Sequence, residues 1–180
     1  MPTIVVPYRG DAKSRLPARI RAAAAVAMLG DVVVAALEVG RVVVVTGDAN
    51  VVPRGAEVVP EPGAGLGAAV AAGLGTVSGH ALVLNADLPC ATPEAVERLA
   101  AAGLALVEAA DGTTNALSLP DPGVFKPLYG PGSAARFRAH APFAIVDIPE
   151  LEHDVDSEDD LERISLPLGP RTRALLSVTA

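Results

Sequence analysis

Three carboxylates in two places carry the clearest chemistry in this sequence. Asp87 closes an apolar run, His80-Ala81-Leu82-Val83-Leu84-Asn85-Ala86-Asp87-Leu88-Pro89. Such a run predicts a strand buried on both faces, as in a parallel sheet. Ligands of open α/β sheets bind beyond the carboxyl ends of those strands. Asp87 is therefore expected at a strand mouth, where a carboxylate can hold a metal ion. Far downstream, Asp154 and Asp156 flank Val155. In an extended segment a spacing of two places both side chains on one face, able to grip a cation. Hard divalent cations such as Mg²⁺ take oxygen ligands and keep several waters, so two or three carboxylates suffice. Plainer roles exist for both places. Asp and Pro end strands in any case. Glu150, Glu152, Glu158, Asp159 and Asp160 crowd the second cluster as they would a solvated surface. The pairing of the two places suggests metal-assisted chemistry on a phosphorylated or nucleotide substrate.

Other residues fit that chemistry. Arg9, Lys13 and Arg15 follow the first apolar segment and could clamp a triphosphate by charge-assisted hydrogen bonds, although scattered surface cations look the same. The turn Glu61-Pro62-Gly63-Ala64-Gly65-Leu66-Gly67-Ala68 matches a G-x-G-x-x-A pattern with an acidic residue, Asp87, about 20 positions on. Pro60-Glu61-Pro62 separates those glycines from the preceding strand, and two β-units come first. The glycines therefore read as backbone donors and close-approach positions for a nucleotide, without a dinucleotide fingerprint. Thr113-Thr114-Asn115 and Gly130-Pro131-Gly132-Ser133 suit anion-binding nests or ordinary turns equally. Cys90 has no obvious histidine partner, and His80, His140 and His153 lack a metal-ligand spacing.

These groups need a scaffold. The chain has 180 residues, enough for one domain with a substantial core. Hydrophobic residues make up 51% but aromatics only 3%, so Val, Ala and Leu must build that core. A net charge of −7 argues against nucleic-acid binding, which needs a basic footprint. A single cysteine excludes an intrachain disulfide and suits a reducing cytoplasm. The first residues lack a signal-peptide pattern. Residues 20–39 contain Arg21, Asp31 and Glu38, and residues 63–77 hold five glycines, so neither stretch resembles a lipid-facing helix.

Expected strands are Thr3–Pro7, Arg41–Thr46, Ala56–Val59, a run ending at Asp87, Leu104–Ala109, Asn115–Leu119 and Phe143–Ile148. Expected helices are Ala18–Leu29 behind Pro17, broken at Gly30 from Asp31–Val39, then Gly65–Leu74. A further helix is capped by Thr92 with Pro93 at its first position, and a last one, Glu158–Ile164, is capped by Ser157. This alternation predicts a three-layer α/β/α sandwich around a mostly parallel mixed sheet over residues 1–165. Residues 166–180 hold two prolines and no clear period, and are expected as a tail or an oligomer contact.

Seven pieces occur in a telling order. They are Val6-Pro7, Ala12-Lys13-Ser14-Arg15-Leu16, Gly65-Leu66, Asn85-Ala86-Asp87-Leu88-Pro89, Thr114-Asn115-Ala116-Leu117, Tyr129-Gly130-Pro131-Gly132-Ser133, and Asp154-Val155-Asp156 leading to Asp160-Leu161. Together, over about residues 3–162, they resemble the guanylyltransferases of coenzyme F420 biosynthesis. These are the 2-phospho-L-lactate guanylyltransferases and their phosphoenolpyruvate-using relatives. The resemblance implies a GT-A-like, Rossmann-like nucleotidyltransferase fold. It also implies Mg²⁺-dependent transfer of GMP from GTP to the phosphate of a small acid, phosphoenolpyruvate or 2-phospho-L-lactate, with pyrophosphate released.

Carried over by motif, Asp87, Asp154 and Asp156 would bind two Mg²⁺ ions. Thr114, Gly130 and Ser133 would receive the acid's carboxylate. Lys13 and Arg15 would face the triphosphate, forming the catalytic group with Asp87. Pro7, Arg9, Gly63, Gly65, Gly67 and Asn85, with Lys13, would line the nucleotide. The sequence departs from the family at Arg9 (usually Lys), Gly67 (Asn) and Thr113 (Gly). Implied partners are GTP, the acid and a downstream deazaflavin transferase, with no nucleic acid or membrane, and the 166–180 segment permits a homodimer. Two alternatives stay open. One is a molybdenum-cofactor or sugar-phosphate nucleotidyltransferase, disfavoured by the missing L-A-G-G-x-S-x-R-[FM]-G loop. The other is a non-catalytic nucleotide-binding module.

Overall fold

Runs of Val, Ile and Leu set the centre of the sheet. In the computed structural model, which describes residues 1–10 and 15–179, the strands are β1 (Thr3–Pro7), β2 (Arg41–Thr46), β3 (Glu57–Pro60), β4 (Ala81–Leu84), β5 (Ala105–Glu108), β6 (Thr114–Leu119) and β7 (Ala144–Ile145). They form one sheet in the order β3-β2-β1-β4-β6-β5-β7. The pairs β1·β2, β1·β4, β2·β3 and β5·β7 are parallel, whereas β6 is antiparallel to both β4 and β5. The mostly parallel mixed sheet read from the sequence is thus present.

The helices are α1 (Ala18–Leu37), α2 (Leu66–Leu74), α3 (Pro93–Ala101), α4 (Ser133–His140), α5 (Pro149–Glu152), α6 (Glu158–Arg163) and α7 (Pro170–Thr179). Side chains alternate across each strand, so the sheet serves two cores. Ile4, Val6, Val42, Val44, Leu82 and Leu84 meet α1, α3 and Leu151 on one face. Val5, Val45, Ala81, Val83 and Leu117 meet α2 and α4 on the other. Burying each such Val or Leu contributes roughly 1.5–3 kcal/mol. Local signals set several helix starts. The Thr92 side chain accepts from the Ala95 N–H ahead of α3, and Ser157 with Asp160 forms a capping box on α6.

Several elements differ from the sequence expectation. Helix α1 runs unbroken through Gly30. A Cβ there would lie 2.5 Å from Arg171 Cδ, so the glycine makes room for α7 rather than ending α1. The segment expected as a tail is helical over Pro170–Thr179 and docks on α1. Buried Asp31 accepts from the N–H groups of Arg171 (3.0 Å) and Thr172 (2.9 Å), and Gly169 N–H donates to the Pro89 carbonyl (2.7 Å). Helix α4 was not anticipated, because its N-cap is Gly132 in the left-handed region without a side-chain cap. Strand β7 holds two residues instead of six, since Pro149 starts α5 shortly afterwards. Strand β4 ends at Leu84, leaving Asp87 on the turn beyond it. Helix α1 is long and apolar enough to cross a membrane. Just over half of its most apolar window is buried within the fold, as expected of a core helix.

Candidate active site

The strand order reverses direction beside β1, whose neighbours β2 and β4 lead to opposite halves of the sheet. A crevice is expected at that switch point, outside the carboxyl ends. There Pro7 ends β1, and Asn85 and Asp87 follow β4. Because β6 is antiparallel, its first residues Thr114 and Asn115 come to the same edge. A cleft of about 610 Å³ opens here. Its wall contains Pro7, Arg9, Gly65, Gly67, Asn85, Asp87, Thr114, Gly130, Ser133, Asp154 and Asp156. Gly63 lies outside this wall. So does Arg15, whose N–H donates to the Asp156 carbonyl. Lys13 falls outside the described residues. The cleft also recruits Tyr8, Met28, Asp111, Asn115, Pro127 and Tyr129, which were not singled out as site residues. The Thr-Thr-Asn turn was the sequence signal for Asn115. Asp111 had none beyond its place two residues before that turn.

The acidic end is held by backbone. Val155 N–H donates to the Asp87 carbonyl at 3.1 Å. The Val155 side chain is buried with Leu16, Ala24 and Met28, while half-buried Asp154 and Asp156 on either side line the cleft. Asn115 Nδ2 donates to the Glu152 carbonyl (3.0 Å) and to Asp154 Oδ1 (3.3 Å). Asn85 N–H in turn donates to the Asn115 carbonyl (3.0 Å), and Asn85 Nδ2 to the Thr114 carbonyl (3.3 Å). Burial raises the Asp154 carboxyl above its ordinary range. The hydrogen bond from Asn115 opposes that rise, and the nearby charges of Asp111 and Asp160 add to it.

Charge decides which ligand this end can hold. Among the described wall residues, Asp87, Asp111, Asp154 and Asp156 face one guanidinium, Arg9, which is itself 3.1 Å from Glu61. A triphosphate approaching four carboxylates is repelled unless divalent cations stand between them. Among the described residues, no three His, Cys, Asp or Glu side chains converge as a ready-made metal group. The carboxylates of the wall are the oxygen donors Mg²⁺ takes, one or two at a time, with phosphates and water completing its shell.

The wall also carries neutral polar side chains. Ser133 Oγ donates to Thr114 Oγ1 at 3.1 Å, both side chains being buried. Thr113 is fixed by its own N–H and hydroxyl donating to Asp111 Oδ1 at 2.9 and 2.6 Å. The Tyr129 ring stacks edge-on against Phe137 with centroids 5.4 Å apart, and burial pushes its phenol pKa well up. On the same wall Gly67 meets Pro127. A Cβ at position 67 would lie 2.6 Å from Pro127 Cβ.

The family described as a MobA-like NTP transferase domain matches residues 18–142. The phosphoenolpyruvate guanylyltransferase of Salinispora arenicola (strain CNS-205) is 41% identical, covering 99% of this chain and 94% of its own length. The chain belongs to the phosphoenolpyruvate guanylyltransferase family. The enzyme of that name from Nocardia farcinica is 40% identical, over 96% of this chain and 88% of its own. Two solved structures share the fold. A nucleotidyl transferase from Methanothermobacter thermautotroptrophicus has a TM-score of 0.64 at 16% identity, covering 99% of each chain. The 2-C-methyl-D-erythritol 4-phosphate cytidylyltransferase of Thermus thermophilus has a TM-score of 0.60 at 20% identity, covering 90% of this chain and 96% of its own. As a member of its family, the chain is a nucleotidyltransferase, working on a nucleotide and a phosphorylated substrate.

Proposed function

We propose that this enzyme transfers GMP from GTP to the phosphate of phosphoenolpyruvate, releasing pyrophosphate. The observation that carries this reading is one cleft whose wall brings three carboxylates together with a glycine-rich turn. Asp87, Asp154 and Asp156 line it along with Thr114, Gly130 and Ser133. The names of the relatives support the same pair of substrates.

In this reaction an oxygen of the acceptor phosphate forms a bond to the α-phosphorus of GTP, and the bond from that phosphorus to the β-phosphate oxygen breaks. A phosphate dianion is already nucleophilic, so no general base is needed and catalysis reduces to positioning and charge neutralisation. Gly65, whose missing Cβ faces open space, allows the nucleotide close approach to the start of α2. Asn85, fixed by its bonds to the start of β6, presents a polar edge beside it. Arg9, on the cleft wall, would meet the triphosphate together with Lys13 and Arg15 of the following loop. Thr114 and Ser133 with the Tyr129–Ser133 turn orient the acid. Mg²⁺ held by Asp87, Asp154 and Asp156 would, when bound, neutralise charge on both phosphate groups. The product, a guanosine diphosphate ester of the acid, suits hand-over to a deazaflavin-transferring enzyme in coenzyme F420 biosynthesis. We place the reaction in the cytoplasm.

A matrix of nucleoside triphosphates against phosphoenolpyruvate, 2-phospho-L-lactate and 3-phospho-D-glycerate, read by pyrophosphate release, tests this. GTP with phosphoenolpyruvate should give the highest kcat/KM, and EDTA should abolish turnover. Preference for CTP or for a sugar phosphate would assign the cleft to another nucleotidyltransferase. Metal-independent GTP binding without turnover would make it a binding module.

A further inference from the structure

Arg136, outside the cleft wall, spends its guanidinium on the loop that forms one side of it. Nε donates to the Leu128 carbonyl (3.1 Å), Nη2 to the carbonyls of Leu128 (2.8 Å) and Tyr129 (3.1 Å), and Nη1 to that of Pro131. The residue projects from α4, one turn beyond Ser133, and no carboxylate shares it. The planar fork of arginine can take several carbonyls in fixed directions, which a lysine ammonium cannot.

In a trans peptide the carbonyl of one residue and the N–H of the next point in opposite directions. Pinning the carbonyls of Leu128, Tyr129 and Pro131 on Arg136 therefore turns the N–H groups of Tyr129, Gly130 and Gly132 to the other side. Tyr129 and Gly130 line the cleft, whereas Arg136 does not. Among the described residues, none of these three N–H groups donates to a protein acceptor, whereas Ser133 N–H is already committed to the Gly130 carbonyl at 3.0 Å. Successive N–H groups aimed at one point form an anion-binding concavity.

We infer that Arg136 is a positioning residue for the acceptor. It holds the Leu128–Pro131 carbonyls so that the N–H groups of Tyr129 and Gly130 are turned to the cleft, where they receive the acid's carboxylate beside Ser133. This inference rests on the reading of that turn as the acid's seat. Gly130 and Gly132, at φ 113° and 68°, supply the backbone conformations the turn requires. The same guanidinium leaves its positive charge behind the nest, where it draws the anion in without touching it.

Two variants and two readouts test it. In Arg136→Lys and Arg136→Gln, KM for phosphoenolpyruvate should rise by about tenfold or more, with KM for GTP within about twofold of the parent. The melting temperature should change little, because Arg136 is exposed and covers no core. Amide hydrogen exchange of the ligand-free protein should speed up over residues 126–133 in both variants. It should stay unchanged elsewhere. A parallel rise in both KM values, or unchanged exchange over 126–133, overturns the inference. The exchange readout needs no substrate, so it decides the role of Arg136 even if the parent enzyme fails to use phosphoenolpyruvate, a result that would count against the proposed function alone.

Discussion

The backbone N–H of Val155 donates to the carbonyl of Asp87 at 3.1 Å, tying the turn after β4 to the acidic segment before α6. Two carboxylate-bearing stretches nearly 70 positions apart in sequence thus become one wall. Asp87→Asn, Asp154→Asn and Asp156→Asn keep the side-chain volume and remove only charge. Each should lower kcat by about 10²-fold or more while leaving the melting temperature within a few degrees, because the tie between the stretches is made by backbone. Pyrophosphate release alongside a thermal melt reads both. A near-parental kcat in all three would return these carboxylates to the solvated surface.

Asn115 is the side chain that sets the Asp154 carboxylate. Its Nδ2 bridges the Glu152 carbonyl and Asp154 Oδ1, and its own carbonyl anchors Asn85. Asn115→Leu would remove the donor to the Glu152 carbonyl and free Asp154 to turn. A stability loss of about 1–3 kcal/mol is expected in urea unfolding. The half-saturating Mg²⁺ concentration for GTP binding should rise with it. Loss of stability with unchanged Mg²⁺ dependence would limit Asn115 to a role in folding.

The sequence exposed those parts of the molecule whose signals are local. The apolar runs of β1, β2 and β4 could be read because both faces of each are buried. Thr92-Pro93 and Ser157 through Asp160 cap their helices with their own side chains. Asp87, Asp154 and Asp156 stood out by position and spacing, and the fold brings all three to one cleft wall. What stayed hidden depends on residues far apart. Gly30 looks like a helix breaker until Arg171, some 140 positions on, is seen occupying the missing Cβ. Helix α7 has no strong pattern of its own and takes its cap from Asp31. Helix α4 starts from a left-handed glycine, so no capping side chain announces it. Arg136 is one of several arginines in the sequence, and only the folded loop shows what it holds.

Gly67, at the start of α2, packs against Pro127 on the wall of the cleft. Alanine is normally favoured over glycine within a helix by about 1 kcal/mol. Here Gly67→Ala places a methyl 2.6 Å from Pro127 Cβ, so it should destabilise instead. The cost should fall in the Gly67→Ala/Pro127→Gly double variant, giving a coupling of about 1–3 kcal/mol in a double-mutant cycle. Additive effects would show that the loop carrying Pro127 yields freely. Gly67→Asn should meet the same obstacle.

Asp31 holds α7 against α1 by accepting two of the first N–H groups of that helix, and Gly169 extends the contact to Pro89, two residues past Asp87. A Cβ on Gly169 would come within 2.3 Å of Asp31 Cγ, so the approach admits only glycine. Asp31→Ala leaves the two N–H groups without their acceptor and should cost about 2–4 kcal/mol. Asp31→Asn, which keeps one acceptor oxygen, should cost less. Hydrogen exchange should quicken across residues 170–179 first. If exchange there is unaffected in Asp31→Ala, other contacts carry the docking of α7.

Cys90 offers a pH-dependent test of the core beneath Asp87. Its side chain is buried, and burial, with the charge of Glu150 adding, pushes the thiol up to about 11. At pH 8 only about one thiol in a thousand is then ionised, so the native protein should resist iodoacetamide, which attacks the thiolate. Alkylation should become rapid once urea unfolds the chain. In the unfolded chain the thiol ionises near pH 8.5. Between that pH and about 11 the folded state therefore binds more protons, and raising the pH favours unfolding. Stability should fall across this window by up to about 1.4 kcal/mol per pH unit, and Cys90→Ala should remove that part of the slope. Fast labelling of the folded enzyme at pH 8, or an alkaline slope identical in the variant, would mean that the loop after Asp87 opens readily to solvent.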